Sequence, residues 1–315
     1  MKLALAPNVS RFKRRFHAWW EGYDYVEPDI AELVMEADAP ADEADDGAAA
    51  APPADAVPIP DAWTAERVRV SELIWGDGFN FPGGAEAALD LIKPFALSKE
   101  KTLLDVGCGL GGGARAVAKS IGAWVEGLEP SATLAVAGMH ASEAAGMGKK
   151  ATVQHFDPQA GKLPTKRYDA VFVRQVLGLV TDKPRLIKGL SSCVKPGGQI
   201  MFVELALAKA DGDSEALQAW RAVEDAAPHP PTVEFIAGAL SREKVDVRIA
   251  EDFSPTFKAQ VLAGWASLAD QLQGKEVTPE EKPLLARELD LWAKRIAACE
   301  AGDLKIARVS GIKKA

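Results

Sequence analysis

Cysteine is scarce in this sequence: Cys108, Cys193 and Cys299 are widely spaced and form no C-x-x-C pair. That excludes a disulfide framework and a zinc knuckle, and it fits a reducing compartment. No apolar run reaches the roughly 18 residues that a membrane span requires, and the opening MKLALAP is too short for a signal-peptide core. A soluble, cytoplasmic protein is expected. Positive charge is also in deficit: 37 Lys and Arg stand against 45 Asp and Glu, a formal net charge of −8. A basic groove for a phosphate backbone, and hence a nucleic-acid partner, is not expected. Histidine, the usual base near pH 7, is limited to His17, His140, His155 and His229. No metal is expected. What the chain has instead is a 48% hydrophobic fraction, enough for a substantial core without cross-links.

Residues 11–23, RFKRRFHAWWEGY, place Phe12, Phe16, Trp19, Trp20 and Tyr23 on one stripe of a short basic helix. Either this stripe docks on a membrane surface or a protein partner, making the protein peripheral at a membrane, or it packs on the chain's own main domain. Residues 36–60 are acidic, Ala/Pro-rich and almost free of large apolar groups. They cannot bury enough surface to offset ordering and read as a flexible linker. The chain thus divides into an N-terminal segment over 1–35, a linker over 36–60 and a main domain over 61–315.

From 61 the pattern alternates. Strands are expected near 101–106, 123–128, 151–156, 168–174 and 199–205, with helices over 111–120, 131–146 and 182–193. Further helices follow over 213–226, 232–242, 255–273 and 279–299, and strands near 245–250 and 304–312 complete one edge. Short apolar strands separated by helix-length segments imply an α/β, Rossmann-like fold with a mostly parallel central sheet and helices on both faces. Such sheets bind ligands at the carboxyl ends of their strands.

One such end carries TLLDVGCGLGGGARAVA (102–118), in which Gly107, Gly109 and Gly112 satisfy G-x-G-x-x-G. A dinucleotide is formally allowed, but Asp105, two positions before the first glycine, would repel a pyrophosphate. It favours a cation, such as the sulfonium and α-ammonium of S-adenosylmethionine (SAM). Gly107, Cys108, Gly109 and Gly111 then form the loop against the amino-acid end of that ligand. Glu129-Pro130, about 20 residues further on, ends the second strand where an acid accepts both ribose hydroxyls. Asp157 and Pro158 end the third, one accepting from the adenine amino group while Phe156 or Pro158 packs on the ring.

The series DVGCGLGGG, GLEPS, HFDPQ, YDAVF and KPGG resembles the class I SAM-dependent methyltransferases in order and spacing. The preceding segment, WTAERVRVSELIWGDGFNFPGGAEAALDLI (63–92), is similar to the leading region of the phosphoethanolamine N-methyltransferases, and the likeness continues through TVEFIAGAL and WAKRI. That resemblance implies a substrate-clasping tyrosine, which falls on Trp63. The family's serine-arginine-aspartate motif falls on Val173, Arg174 and Gln175, and its histidine on Leu179. Its phosphate-contacting tyrosine falls on Leu205, and an arginine and tyrosine fall on Ala226 and Pro228. The amine-binding and base-like groups are therefore replaced.

A small-molecule acceptor pocket lined by Trp63, Trp75, Phe79, Phe81, Arg174, Gln175, Leu179 and Leu205 is expected to be apolar and to hold phosphate poorly. The expected activity is SAM-dependent methyl transfer to a small or amphipathic acceptor, with phosphoethanolamine disfavoured. His229, on a loop before the C-terminal helices, and Glu204, at the tip of the fifth strand, are the candidates for proton transfer. The alternative is a non-catalytic SAM-binding or interaction protein derived from a methyltransferase. A dinucleotide oxidoreductase ranks behind both, for want of a hydride-transfer acid.

Overall fold

The computed structural model describes residues 59–226, 228–272 and 277–315. The basic aromatic helix expected over 11–23, and all but the last two residues of the linker, lie outside them.

In chain order the described elements begin with α1 (Ala65–Trp75), α2 (Gly84–Ile92), β1 (Thr102–Val106), α3 (Gly112–Ser120), β2 (Trp124–Glu129), α4 (Ala132–Ala144) and β3 (Ala151–His155). They continue with β4 (Tyr168–Arg174), α5 (Lys183–Cys193), β5 (Val194–Leu207), α6 (Glu215–Arg221), α7 (Val233–Arg242), β6 (Val245–Asp252), α8 (Ser254–Leu272), α9 (Glu281–Glu300) and β7 (Leu304–Lys313). The seven strands form one sheet ordered β3-β2-β1-β4-β5-β7-β6. The first five are parallel, while β7 runs antiparallel between β5 and β6.

Local chemistry explains several boundaries. Thr64, Ser131, Asp182, Ser214 and Thr232 each cap a helix by accepting an amide hydrogen bond from three residues on, which satisfies one of the orphan N–H groups of the first turn. β5 starts earlier than its expected 199–205. Val194 already pairs with Tyr168, the register then shifts, and pairing resumes at Ala170 with Gln199. Gly198 permits this close approach, since a Cβ there would lie 2.7 Å from the Asp169 carbonyl oxygen.

The strands alternate with period two between two cores. Leu103, Phe172, Met201 and Val203 pack toward α1, α3, α8 and α9. Leu104, Val171, Ile200 and Phe202 face α5 and α7. No helix among the described residues is long and apolar enough to cross a membrane.

Candidate functional site

Strand order reverses between β1 and β4, so the loops after these two strands diverge and leave a crevice at their carboxyl ends. The loop after β1 is held in left-handed backbone at Gly107 (φ +75°) and Gly109 (φ +57°). A Cβ at Gly107 would sit 2.1 Å from the Arg174 carbonyl oxygen, and one at Gly109 would sit 2.0 Å from Asn80 Oδ1. Both positions therefore require glycine for space as well as for conformation.

Gly107, Gly109, Glu129 and Pro130 line the resulting cleft, together with Ser131 and Leu134. Glu129 is 7% exposed, and its carboxylate accepts from the Gly109 amide at 2.7 Å and the Ser131 amide at 3.0 Å. Burial pushes its carboxyl up to about 7, against the pull of those two donors. Asp61 lies over the same corner, accepting from Ser131 Oγ at 2.8 Å and from the Thr133 amide at 3.0 Å.

Several expected residues stand elsewhere. Cys108 turns its side chain into a small core with Ala135 and Val153, and burial pushes its thiol well up. Gly111 serves as the N-cap of α3 and packs on Val153. Asp157 is exposed and accepts from the Gln159 amide at 2.8 Å. Neither it nor the buried Pro158 is among the cleft residues.

The largest correction concerns Asp105. It is 3% exposed, and both of its oxygens accept from Arg174 Nη2, at 3.0 and 2.8 Å. Its charge is thus answered within the protein, and Arg174, not Asp105, reaches the cleft. The guanidinium also lies over Phe81, 4.4 Å from the ring centre, and its Nε is buried without a hydrogen-bond partner. A bare negative group at the mouth of β1, selecting a cation, is therefore not what the fold presents.

The cleft is also lined by Trp63, Phe81, Gln175, Leu179, Glu204 and Leu205. Trp75 and Phe79 do not line it. Trp75 packs edge-on against Trp265 and Trp292, and Phe79 against Phe81. His229 is exposed, and its amide donates to the Gly178 carbonyl at 2.9 Å; the flanking Pro228 and Pro230 line the cleft in its place.

Gln175 adopts φ +51°, a conformation that costs a non-glycine residue about 1–3 kcal/mol and persists only where the surroundings fix it. Glu204, fully buried, does so. Its two oxygens accept from the Val176 amide at 3.0 Å and the Leu177 amide at 3.2 Å. Burial pushes its carboxyl up to about 8, opposed by those two amides and by the charge of Lys183.

This wall is not the apolar surface expected. Arg67 of α1 donates to Asp225 at 2.6 Å and to Glu288 of α9 at 2.9 Å, with its guanidinium stacked 4.1 Å from the Trp63 ring centre. Arg287 pairs with the same two acids. Arg295 grips Glu224 with two bonds, at 2.6 and 2.8 Å, and despite burial this holds Glu224 below its ordinary value. The clue in the sequence was spacing. Glu288 falls four residues after Leu284 and four before Trp292, with Arg295 three further on, so charged groups occupy apolar-face positions of one helix. Among the described residues no cluster of His, Cys, Asp or Glu could hold a metal ion.

Comparison with known proteins agrees with this architecture. Residues 83–241, about half the chain, match the family model described as a methyltransferase domain. Phosphoethanolamine N-methyltransferase 1 of Zea mays is 31% identical over 133 residues, 42% of this chain and 26% of the maize protein. The chloroplastic tocopherol O-methyltransferase of Arabidopsis thaliana is 30% identical over 172 residues, 47% of this chain and 49% of that protein. The chain therefore spans about a quarter of the maize relative's length and half of the tocopherol enzyme's.

Among solved structures, phosphoethanolamine N-methyltransferase 2 of Haemonchus contortus, bound to phosphomonomethylethanolamine and S-adenosylhomocysteine, superposes with a TM-score of 0.68 at 20% identity, over 79% of this chain and 57% of that one. The [4+2]-cyclase SpnF superposes at 0.61 with 18% identity, over 79% and 94%. Likeness at that level shows the fold alone. The family match over residues 83–241 carries further: this chain belongs to the methyltransferase-domain family.

Proposed function

We propose that the protein is a SAM-dependent methyltransferase whose acceptor carries no phosphate. The cleft fits the methyl donor. The glycine-cleared loop at Gly107 and Gly109 lets backbone approach the amino-acid end. The unpartnered Nε of Arg174 offers a donor for a carboxylate there. Glu129 accepts two hydrogen bonds from amides and has lone pairs left for the ribose hydroxyls. Bound there, SAM supplies an activated methyl group on a good leaving group, so the protein's work is to orient the acceptor, exclude water and take up any proton released.

One observation carries the acceptor reading: every guanidinium lining the cleft is already bound to carboxylate. Arg67 serves Asp225 and Glu288, Arg174 serves Asp105, and Arg295 serves Glu224. A phosphate drawing on Arg67 or Arg295 would have to displace a carboxylate, leaving that charge uncompensated at a cost of about 3–5 kcal/mol, and the free Nε of Arg174 is the donor assigned to the carboxylate of SAM.

Competition between acceptors tests this. Labelled methyl from SAM should pass to phosphate-free acceptors in a small-molecule extract and not to phosphoethanolamine at millimolar concentration. Transfer to phosphoethanolamine with saturation refutes the acceptor reading. Failure to bind S-adenosylhomocysteine refutes the cofactor.

A further inference from the structure

Charge in the cleft is unevenly matched. Among the described residues lining it, the carboxylates are Asp61, Glu129, Glu204, Glu224, Asp225 and Glu288, while the cations are Arg67, Arg174 and Arg295, with no lysine. The matches can be followed one by one. Glu224, Asp225 and Glu288 are held by arginines. Asp61 is tied to Ser131 and Thr133, and Glu129 faces the donor half. Glu204 is left, fully buried at the carboxyl end of β5 beside Gln175 and Leu205. Among the described residues its hydrogen-bond donors are the Val176 and Leu177 amides. The one charge that reaches it is Lys183, whose ammonium donates to the Val180 carbonyl at 2.8 Å.

Each oxygen of that cleft-lining carboxylate accepts one amide and has a lone pair left, and a buried carboxylate that forms no ion pair is costly to keep. The same cleft is also lined by Trp63, Phe81, Leu179, Leu205, Phe257 and Trp292.

We propose that Glu204 binds and deprotonates a protonated amine, so that the acceptor is an alkylammonium carried on an apolar body. This rests on the methyltransferase reading above and goes beyond it in naming acceptor class and base. The ammonium proton passes to the Glu204 carboxylate, freeing the nitrogen lone pair. That pair forms the new N–CH₃ bond as the S–CH₃ bond breaks, and the sulfur keeps the electron pair as S-adenosylhomocysteine leaves. Low dielectric favours the neutral pair, amine and carboxylic acid, over the ion pair. The carboxyl's raised proton affinity serves the same end.

The test uses the full chain, phenethylamine and N-methylphenethylamine as probes, and Glu204→Gln beside Glu204→Asp. Wild type should transfer labelled methyl from SAM to both amines. Glu204→Gln should lower kcat by about 10²–10⁴-fold, the usual contribution of a positioned base, and Glu204→Asp should restore part of it. In calorimetry on the S-adenosylhomocysteine complex, phenethylamine should bind at least about tenfold more weakly to Glu204→Gln, while affinity for S-adenosylhomocysteine itself changes less than about twofold.

Loss of S-adenosylhomocysteine binding in Glu204→Gln would mark a misfolded turn, and Glu204→Asp then decides: partial or full activity there supports the assignment, and no activity in a variant that still binds S-adenosylhomocysteine overturns it. No transfer to either amine, or equal kcat in wild type and Glu204→Gln, overturns the proposal while leaving the methyltransferase reading intact. Failure of the wild type to bind S-adenosylhomocysteine sinks both.

Discussion

Glu129 should make cofactor affinity depend on pH in a range where an ordinary carboxylate is silent. In the unliganded protein its carboxyl is pushed up to about 7 from 4.5, burial outweighing the two amides that favour the charged form. The shift fixes a sign. Since the folded value lies above the unfolded one, the group's contribution to stability is fully present below the unfolded pKa and is lost as pH rises through about 7, to the extent of roughly 3 kcal/mol. Ribose hydroxyls donating to the carboxylate reverse that preference. Below pH 7 the protein must release a proton to bind, so affinity should fall about 11-fold at pH 6 and about 100-fold at pH 5 relative to the alkaline plateau. Titration calorimetry with S-adenosylhomocysteine from pH 5 to 9 measures the curve. Glu129→Gln keeps one acceptor oxygen and loses the charge, so it should bind about 10–100-fold more weakly on the plateau, the worth of one hydrogen bond to a charged group, with a flattened profile. Asp105 is also raised by burial, but it faces Arg174 and not the cleft, so whatever slope it adds survives in the Gln variant and can be subtracted. A flat wild-type curve between pH 5.5 and 8, or an undiminished slope in Glu129→Gln, would refute the reasoning.

Arg67→Met strands Glu288, which is 3% exposed. Because Arg287 still reaches both acids, the loss should be about 3 kcal/mol, the low end for breaking a buried pair, seen as a Tm lower by about 6–12 °C. Adding Glu288→Met should recover more than half of that loss in urea unfolding, and a double variant no more stable than the single one would show that the stranded charge is not the cause. Gly107→Ala meets the Arg174 carbonyl at 2.1 Å with the backbone at φ +75°. It should cost at least about 2 kcal/mol and abolish S-adenosylhomocysteine binding, whereas retention of wild-type affinity would mean that this loop is not the cradle.

The side of the cleft formed by the β1 loop and the β2 tip was legible because it is local. Consecutive βα units carry it, so glycines after one apolar run and an acid closing the next stand at fixed short separations: Gly109 and Glu129, 20 residues apart, meet through one hydrogen bond. The side lined by Arg67, Asp225 and Glu288 is assembled across the chain. Arg67 and Glu288 are 221 residues apart, and Arg67 and Asp225 are 158 apart. No short-range spacing encodes such pairs.

Asp105 shows the same limit within a readable motif. Its type and position announced a buried negative charge at the β1 tip, but whether a ligand or the protein neutralises that charge depends on a side chain one strand over, Arg174, 69 residues on. β1 and β4 are neighbours in the sheet, with Asp105 paired to Phe172, so an arginine two residues further along β4 lies within reach of the aspartate near the end of β1. Buried charges are almost always paired, and pairing across neighbouring strand tips is the rule that ordering by strand would have supplied. Applied to β5, the neighbour of β4 on its other side, the same rule finds Glu204 with amide donors and, among the described residues, no ion pair. On the proposal above, the guest that completes this carboxylate is a cation.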